Sequence, residues 1–560
     1  MMDVKTKCVV FLLSCAPLVA CTNDVAKAPA PAEHAQPNIL LIVADDLGYT
    51  DIGAYGSEIE TPNIDSLAAN GVSFAQFYAS PMCSPSRAML LTGVDHHRVG
   101  LGNLVSRLAD NQRGQPGYEG RLARDAVTLP ERLRDAGYRN YFAGKWHLGE
   151  SDGADPGSRA FDQYFALHDS GASHFANMMS LSGPEKVLYV ENDEPVKTLP
   201  DDFYSTPFYT DKLIEYLEQD RSDKRPFFAY LAYTAPHFPL QAPAASMEKY
   251  KGRYDEGYDV LHQQRLSRAQ ELNLVGHDIS SFAGTGTEPA WSGLSQTERA
   301  REARVMEIYA AMIDDLDANV GRLLDYLRSR NLARDTLIIF LSDNGAEGHR
   351  LAQGMGPLHE WSNICCDNSY ANMGTANSYL TLGPGWARAS MAPFRMFKGF
   401  TSEGGVRVPA IISFPEHFAG GRLYEGIASI QDVAPSILEV AGIDLENMPL
   451  DGKSMLPMLR GETSTVHSDD TAFAWELLGK RALRQGNWKI VRESPFSDWW
   501  DADALGIKRD QWQLYNLARD PAETTDLAAA EAERLKRMTD LWDEYAKENA
   551  VILPDSARSY

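Results

Sequence analysis

Cysteine is scarce in this chain, with six among 560 residues. Cys8, Cys15 and Cys21 crowd the N-terminus, which leaves Cys83 and the adjacent pair Cys365 and Cys366. Adjacent cysteines rarely bridge each other without strain, so no disulfide framework is expected and Cys83 has no evident bridging partner. Basic charge is also short: 53 Lys and Arg stand against 77 Asp and Glu, a formal net charge of −24. That argues against a nucleic-acid binder, which needs a basic face. A local basic pocket can still hold an anion. Long apolar runs are missing. The run Cys8 to Ala20 is too short to span a bilayer comfortably, and no later segment reaches that length uninterrupted. No internal repeat is visible. What remains is ordinary for a globular protein, with 44% hydrophobic and 23% charged residues. The length allows one large core and a smaller domain.

Lys5 and Lys7 precede the short apolar run, which ends Leu18-Val19-Ala20-Cys21. This ending resembles a bacterial lipobox, in which cleavage precedes a cysteine that is then lipidated. The expectation is a signal peptide at 1–20, a lipid anchor at Cys21, and export to the periplasm or to the outer membrane as a lipoprotein. A plain secretory signal is the alternative. Residues 21–36, rich in Ala and Pro, read as a flexible tether.

Pro37 to Ala44 is a near-continuous branched apolar run, as a strand covered on both faces reads. Similar runs occur at Val72–Tyr78, Tyr138–Leu148, Pro226–Tyr233, Thr336–Ser342 and Val406–Phe414. Helical patterns fall at Asn63–Ala69, Leu129–Ala136 and Gln431–Ala441. The longest has apolar residues at three- and four-residue steps from Val305 to Leu327. Ala244–Ser295 reads as an irregular insertion over the sheet edge. Texture changes after Ser464. A hairpin at Ala482–Val491, a strand at Trp512–Leu517 and a helix near 527–548 predict a C-terminal α+β subdomain at 465–560. Residues 37–464 read as the main, α/β domain.

Several apolar runs end in polar residues. Asp45-Asp46 follows the first, and Asp343-Asn344 follows Thr336–Ser342. In open α/β sheets ligands collect at the carboxyl ends of strands. Each pair alone also suits a turn, but together they are hard oxygen ligands suited to Ca²⁺ or Mg²⁺ rather than zinc. Cys83-Ser84-Pro85-Ser86-Arg87 opens a helix that Gly93 closes. Cys83 then sits at the helix N-terminus, where the dipole favours developing negative charge, with Arg87 on the same face. Lys145 and His147 share a face if Lys145-Trp146-His147 is extended. His237 and Lys398 stand in loops.

Cys83-x-Pro85-x-Arg87 followed by Leu91-Thr92-Gly93 closely resembles the signature of type I, formylglycine-dependent sulfatases. The Asp45-Asp46 pair, Gly144-Lys145-Trp146-His147-Leu148-Gly149, His237, the Asp343-Asn344 pair and Lys398 match further motifs of that family in order. Pro236-His237-Phe238-Pro239 and Gly404-Gly405-Val406-Arg407-Val408-Pro409 look like the longer bacterial arylsulfatases. The resemblance implies an alkaline-phosphatase-like fold: a large mixed sheet between helices, plus a smaller C-terminal antiparallel sheet. It implies a formylglycine-generating enzyme that converts Cys83 to Cα-formylglycine. It also implies Ca²⁺, ahead of Mg²⁺, at Asp45, Asp46, Cys83, Asp343 and Asn344. In the implied chemistry one hydroxyl of the formylglycine hydrate attacks a sulfate ester, with Asp343 as base. Arg87 holds the hydrate, Lys145, Lys398 and His237 bind the sulfate, and His147 deprotonates the second hydroxyl to expel it. Arg87, Lys145, Lys398 and a divalent cation, opposed by Asp45, Asp46 and Asp343, sum to about +2. That charge accepts sulfate and phosphate monoesters alike. The alternatives are a phosphate or phosphonate monoester hydrolase on the same site, and a non-catalytic surface protein that binds sulfated ligands.

Overall fold

The computed structural model describes residues 36–151, 153–285, 288–351, 356–494, 508 and 510–556. The expected signal peptide, Cys21 and the tether up to residue 35 lie outside the described residues. In chain order the strands are β1 (Asn38–Ala44), β2 (Val72–Tyr78), β3 (Arg139–Lys145), β4 (Gln163–Leu167), β5 (Tyr189–Glu191), β6 (Glu194–Val196), β7 (Phe227–Ala232), β8 (Thr336–Ser342), β9 (Arg407–Val408), β10 (Ala410–Ser413) and β11 (Arg422–Ser429). These form one sheet in the order β11-β2-β10-β8-β1-β7-β3-β4-β5-β6, with β9 on β2. The sheet is mixed: β8, β1, β7, β3 and β4 run parallel, while β10 is antiparallel to both β8 and β2. β12 (Ala472–Leu477), β13 (Lys480–Gln485), β14 (Trp488–Arg492) and β15 (Gln513–Asn516) form a separate antiparallel sheet.

β1 shows why its run is apolar throughout. Leu40, Ile42 and Ala44 enter one core cluster, and Ile39, Leu41 and Val43 enter the other. Alternate side chains point to opposite faces, and both faces are covered. Each such aliphatic side chain contributes about 1.5–3 kcal/mol when fully buried. The long helix spans Gln296–Ser329 and packs in the first cluster through Ile313, Leu316 and Val320. It begins earlier than its apolar stripe because Ser295 and Glu298 form a capping box.

Three expectations need correction. Ala244–Ser295 is not irregular throughout: it contains helices Ala244–Lys249 and Tyr258–Glu271. The second buries Tyr258, Leu261, His262, Arg265 and Ala269 at helical spacing. Two of those five are polar, which hid the pattern. Arg265 pairs there with Asp51 and Glu58. Val406–Phe414 is not one strand. A short helix, Glu403–Val406, precedes β9, and Pro409, which has no N–H to donate, separates β9 from β10. Cys365 and Cys366 are bonded to each other. Both pack against a small apolar cluster of Leu181, Phe238 and Leu358, where a disulfide leaves no polar hydrogen to satisfy. The bridge spans one peptide and ties no distant segments together.

The smaller sheet is fastened to the helix Cys83–Thr92 by the segment just after it. His97 Nδ1 lies 2.8 Å from Asp95 Oδ1, and Nε2 lies 3.0 Å from Glu476 Oε2 on β12. Tyr545, on the last helix Ala532–Glu548, donates to Asp95 Oδ2 at 2.9 Å. Burial opposes the charged imidazole, but hydrogen bonds to Asp95 and Glu476 raise the His97 pKa to about 9. His97→Leu leaves two buried carboxylates without their shared cation, and stability should fall by about 3–5 kcal/mol in urea melts. The sign of the pH dependence follows from a raised folded-state pKa. The His97 contribution is whole below about pH 6.5. It fades as pH rises through about 9. Melting temperature should therefore fall over that window in the wild type and stay flatter in His97→Leu.

Candidate active site

β8, β1, β7 and β3 are parallel neighbours, so their carboxyl ends share one edge of the sheet. Asp343 and Asn344 follow β8, Asp45 and Asp46 follow β1, and Lys145 ends β3. His237 lies in the loop after β7. The helix Cys83–Thr92 begins where the chain leaves β2 and is capped by Gly93 at φ 70. Topology alone thus brings sequence-distant polar residues to one place.

All are buried but His147, which is partly exposed. Cys83 Sγ lies 3.3 Å from Asp45 Oδ1 and 3.8 Å from Asp46 Oδ1. Arg87, four residues along the same helix, donates to Asp343 Oδ2 at 2.8 Å and to the Lys145 carbonyl at 2.7 Å. Lys145 Nζ reaches Asp45 Oδ2 at 2.6 Å, and Lys398 Nζ reaches Asp46 Oδ2 at 2.8 Å. His237 Nε2 lies 3.6 Å from the same Asp46 oxygen. Asn344 donates to Asp46 Oδ1 at 2.7 Å, while its own Oδ1 is buried without a hydrogen-bond partner.

His147 departs from the extended reading. β3 stops at Lys145, and His147 takes φ 55, in the left-handed region. Trp146 is buried. His147 still lines the same cavity as Cys83, and its Nδ1 is buried without a partner. Burial, Lys145 and Arg87 all push its pKa well below the ordinary value, so the ring is neutral and able to accept a proton.

The helix N-terminus does not make Cys83 a ready thiolate. Burial and Asp45 push the thiol well up, against Lys145 and Lys398. Burial also opposes ionisation of Asp45, but Lys145, His237 and Arg87 outweigh it and hold its carboxyl below the usual range. Asp46 is raised to about 7 by burial, which Lys398 only partly offsets, with Asp45, Glu347 and Asp343 adding to the rise. Crowded buried carboxylates beside an orphaned amide oxygen are what a hard cation relieves. Ligand atoms of Asp45, Asp46, Cys83 and His237 lie within 4.8 Å of one another.

Glu347 escaped the sequence reading. It lines the cavity, and its Oε2 lies 3.6 Å from Lys398 Nζ. The available signal was its place three residues past Asn344, in the same loop at the carboxyl end of β8. The cavity holds about 660 Å³. Leu104, Val105, Leu181, Phe238 and Leu358 give it an apolar side.

The family model described as Sulfatase matches residues 37–443, and that described as N-sulphoglucosamine sulphohydrolase, C-terminal, matches residues 394–549. The chain belongs to the sulfatase family. This sulfatase is 38% identical to the arylsulfatase of Klebsiella aerogenes over 440 residues, which cover 78% of this chain and 93% of that one. It is 39% identical over 542 residues to an uncharacterised sulfatase of Schizosaccharomyces pombe, covering 93% and 95% of the two chains. The crystal structure of Ps i-CgsB in complex with k-i-k-neocarrahexaose superposes with a TM-score of 0.65 at 26% identity, over 93% of this chain and 95% of that one. The fold is alkaline-phosphatase-like, and the sulfatase is a sulfuric ester hydrolase.

Proposed function

We propose that this sulfatase hydrolyses aryl sulfate monoesters, with residue 83 converted from cysteine to formylglycine and a Ca²⁺ ion beside it. The observation that carries the reading is the convergence of Cys83, Arg87, Lys145, His237 and Lys398 around Asp45 and Asp46 in one buried cluster. The apolar side of the cavity suits an aromatic leaving group.

Asp45, Asp46, Asp343 and Asn344 would hold the cation, which supplies Lewis-acid polarisation of the ester. A formylglycine hydrate at residue 83 would supply one hydroxyl to attack sulfur, its proton passing to Asp343, and a second whose deprotonation would release sulfate and restore the aldehyde. Lys145 and Lys398 bind and neutralise the sulfate oxygens. Arg87 fixes Asp343 and the end of β3 by two hydrogen bonds. His237 or Lys398 protonates the departing oxygen. His147, neutral and open at Nδ1, takes the proton from the second hydroxyl.

The test is turnover of 4-nitrophenyl sulfate by protein co-expressed with a formylglycine-generating enzyme, before and after metal stripping. Turnover that chelation abolishes and Ca²⁺ restores is the expected result. Absence of turnover in protein carrying formylglycine would point instead to binding of sulfated ligands without catalysis.

A further inference from the structure

Glu347 adds a carboxylate beside a cluster in which Arg87, Lys145 and Lys398 face Asp45, Asp46 and Asp343. Its side chain is buried, yet it lines the same cavity as Cys83, His147 and Lys398. His349 supplies two donors: its backbone N–H, at 2.7 Å from Oε1, and Nδ1, in contact with the same oxygen. The other oxygen faces Lys398 Nζ at 3.6 Å. Donors on one oxygen and a cation on the other favour the ionised form. Burial alone would raise the carboxyl, but His349 and Lys398 hold it at about 2.

Lys398 is therefore shared between two carboxylates, Asp46 and Glu347. Arg87, Lys145 and Lys398 are offset by Asp45, Asp46 and Asp343. Whatever a bound cation adds, Glu347 takes one unit of positive charge away. With a divalent ion the site falls from about +2 to about +1, in a water-poor setting where unit charges count strongly. A sulfate monoester carries one negative charge. A phosphate monoester, with a second pKa of about 6, carries nearly two above neutral pH. The extra charge on phosphate would be repelled by a carboxylate that sulfate encounters only once.

We propose that Glu347 sets the charge preference of the pocket, favouring singly charged sulfate esters over doubly charged phosphate monoesters. The inference rests on the sulfatase reading above and deepens it to a specificity determinant. A mere prop for Lys398 would behave differently: its loss would lower both reactions alike.

The experiment compares kcat/KM for 4-nitrophenyl phosphate and 4-nitrophenyl sulfate at pH 8 in wild type, Glu347→Gln and Glu347→Asp, each with residue 83 confirmed as formylglycine. The ratio within one preparation cancels any difference in active fraction. Glu347→Gln should raise the phosphate-to-sulfate ratio about tenfold or more, equivalent to ~1.4 kcal/mol. Glu347→Asp should keep the wild-type ratio. A second readout needs no turnover: in a Cys83→Ala background, Glu347→Gln should tighten Kd for the phosphate ester relative to the sulfate ester by a similar factor. Unchanged ratios in both measurements overturn the proposal. The two failures read differently. Wild type without sulfate-ester turnover refutes the catalytic reading, whereas unchanged ratios in a competent sulfatase refute only the role of Glu347.

Discussion

Cys83→Ala should abolish turnover of 4-nitrophenyl sulfate, lowering kcat/KM by on the order of 10⁴-fold or more, as loss of a covalent nucleophile does elsewhere. The residue stands at the start of its helix with Asp45 and Asp46 at 3.3 and 3.8 Å. In the substituted protein Lys145 and Lys398 remain to bind the ester, but nothing is placed to attack it. Water would have to enter between the carboxylates, and in the proposed mechanism no residue is set to deliver it. The fold should survive, because the change removes one sulfur from a pocket lined by charged groups rather than from an apolar core. Melting temperature should move by only a few degrees, and ester binding should persist. Activity within tenfold of wild type would remove residue 83 from the reaction.

His147→Asn should produce a different kinetic signature. If His147 acts only after the sulfur–oxygen bond to the leaving group has broken, the first turnover proceeds and the second stalls. Stopped-flow mixing should then show a burst of one equivalent of 4-nitrophenol per active site. Steady-state kcat should fall by roughly 10²–10⁴-fold, the usual worth of a positioned base. The geometry motivates this: Nδ1 is buried without a hydrogen-bond partner, and burial, with Lys145 and Arg87, keeps the ring neutral. Asparagine retains a polar side chain but cannot take the proton. A slow first turnover with no burst would place His147 earlier in the reaction.

Much of the sheet was legible because its central strands are buried on both faces and so read as unbroken apolar runs. β1, β7 and β8 are of this kind. The last two strands at one end of the sheet, β5 and β6, have only three residues each, too short for any period to show. The helix Tyr258–Glu271 was hidden for another reason. Its inward face carries Arg265 and His262, which pair with buried groups instead of apolar ones. The site followed the same logic. Asp45, Asp46, Asp343 and Asn344 stand immediately after strands, so strand ends pointed to them. Glu347 stands further along its loop, and only the folded chain turns it toward Lys398. The charge sum of about +2 from the sequence therefore left out the residue that shifts it. The helix dipole favours negative charge at Cys83, but only the folded chain shows the burial and the Asp45 carboxylate, delivered by β1, that push the thiol up.

The most direct measurement is a mass spectrum of the peptide bearing residue 83, from active protein made with the maturation enzyme. The expected peptide has the mass of an aldehyde at that position and couples to a hydrazide probe. Active protein in which residue 83 is wholly a thiol would contradict the mechanism.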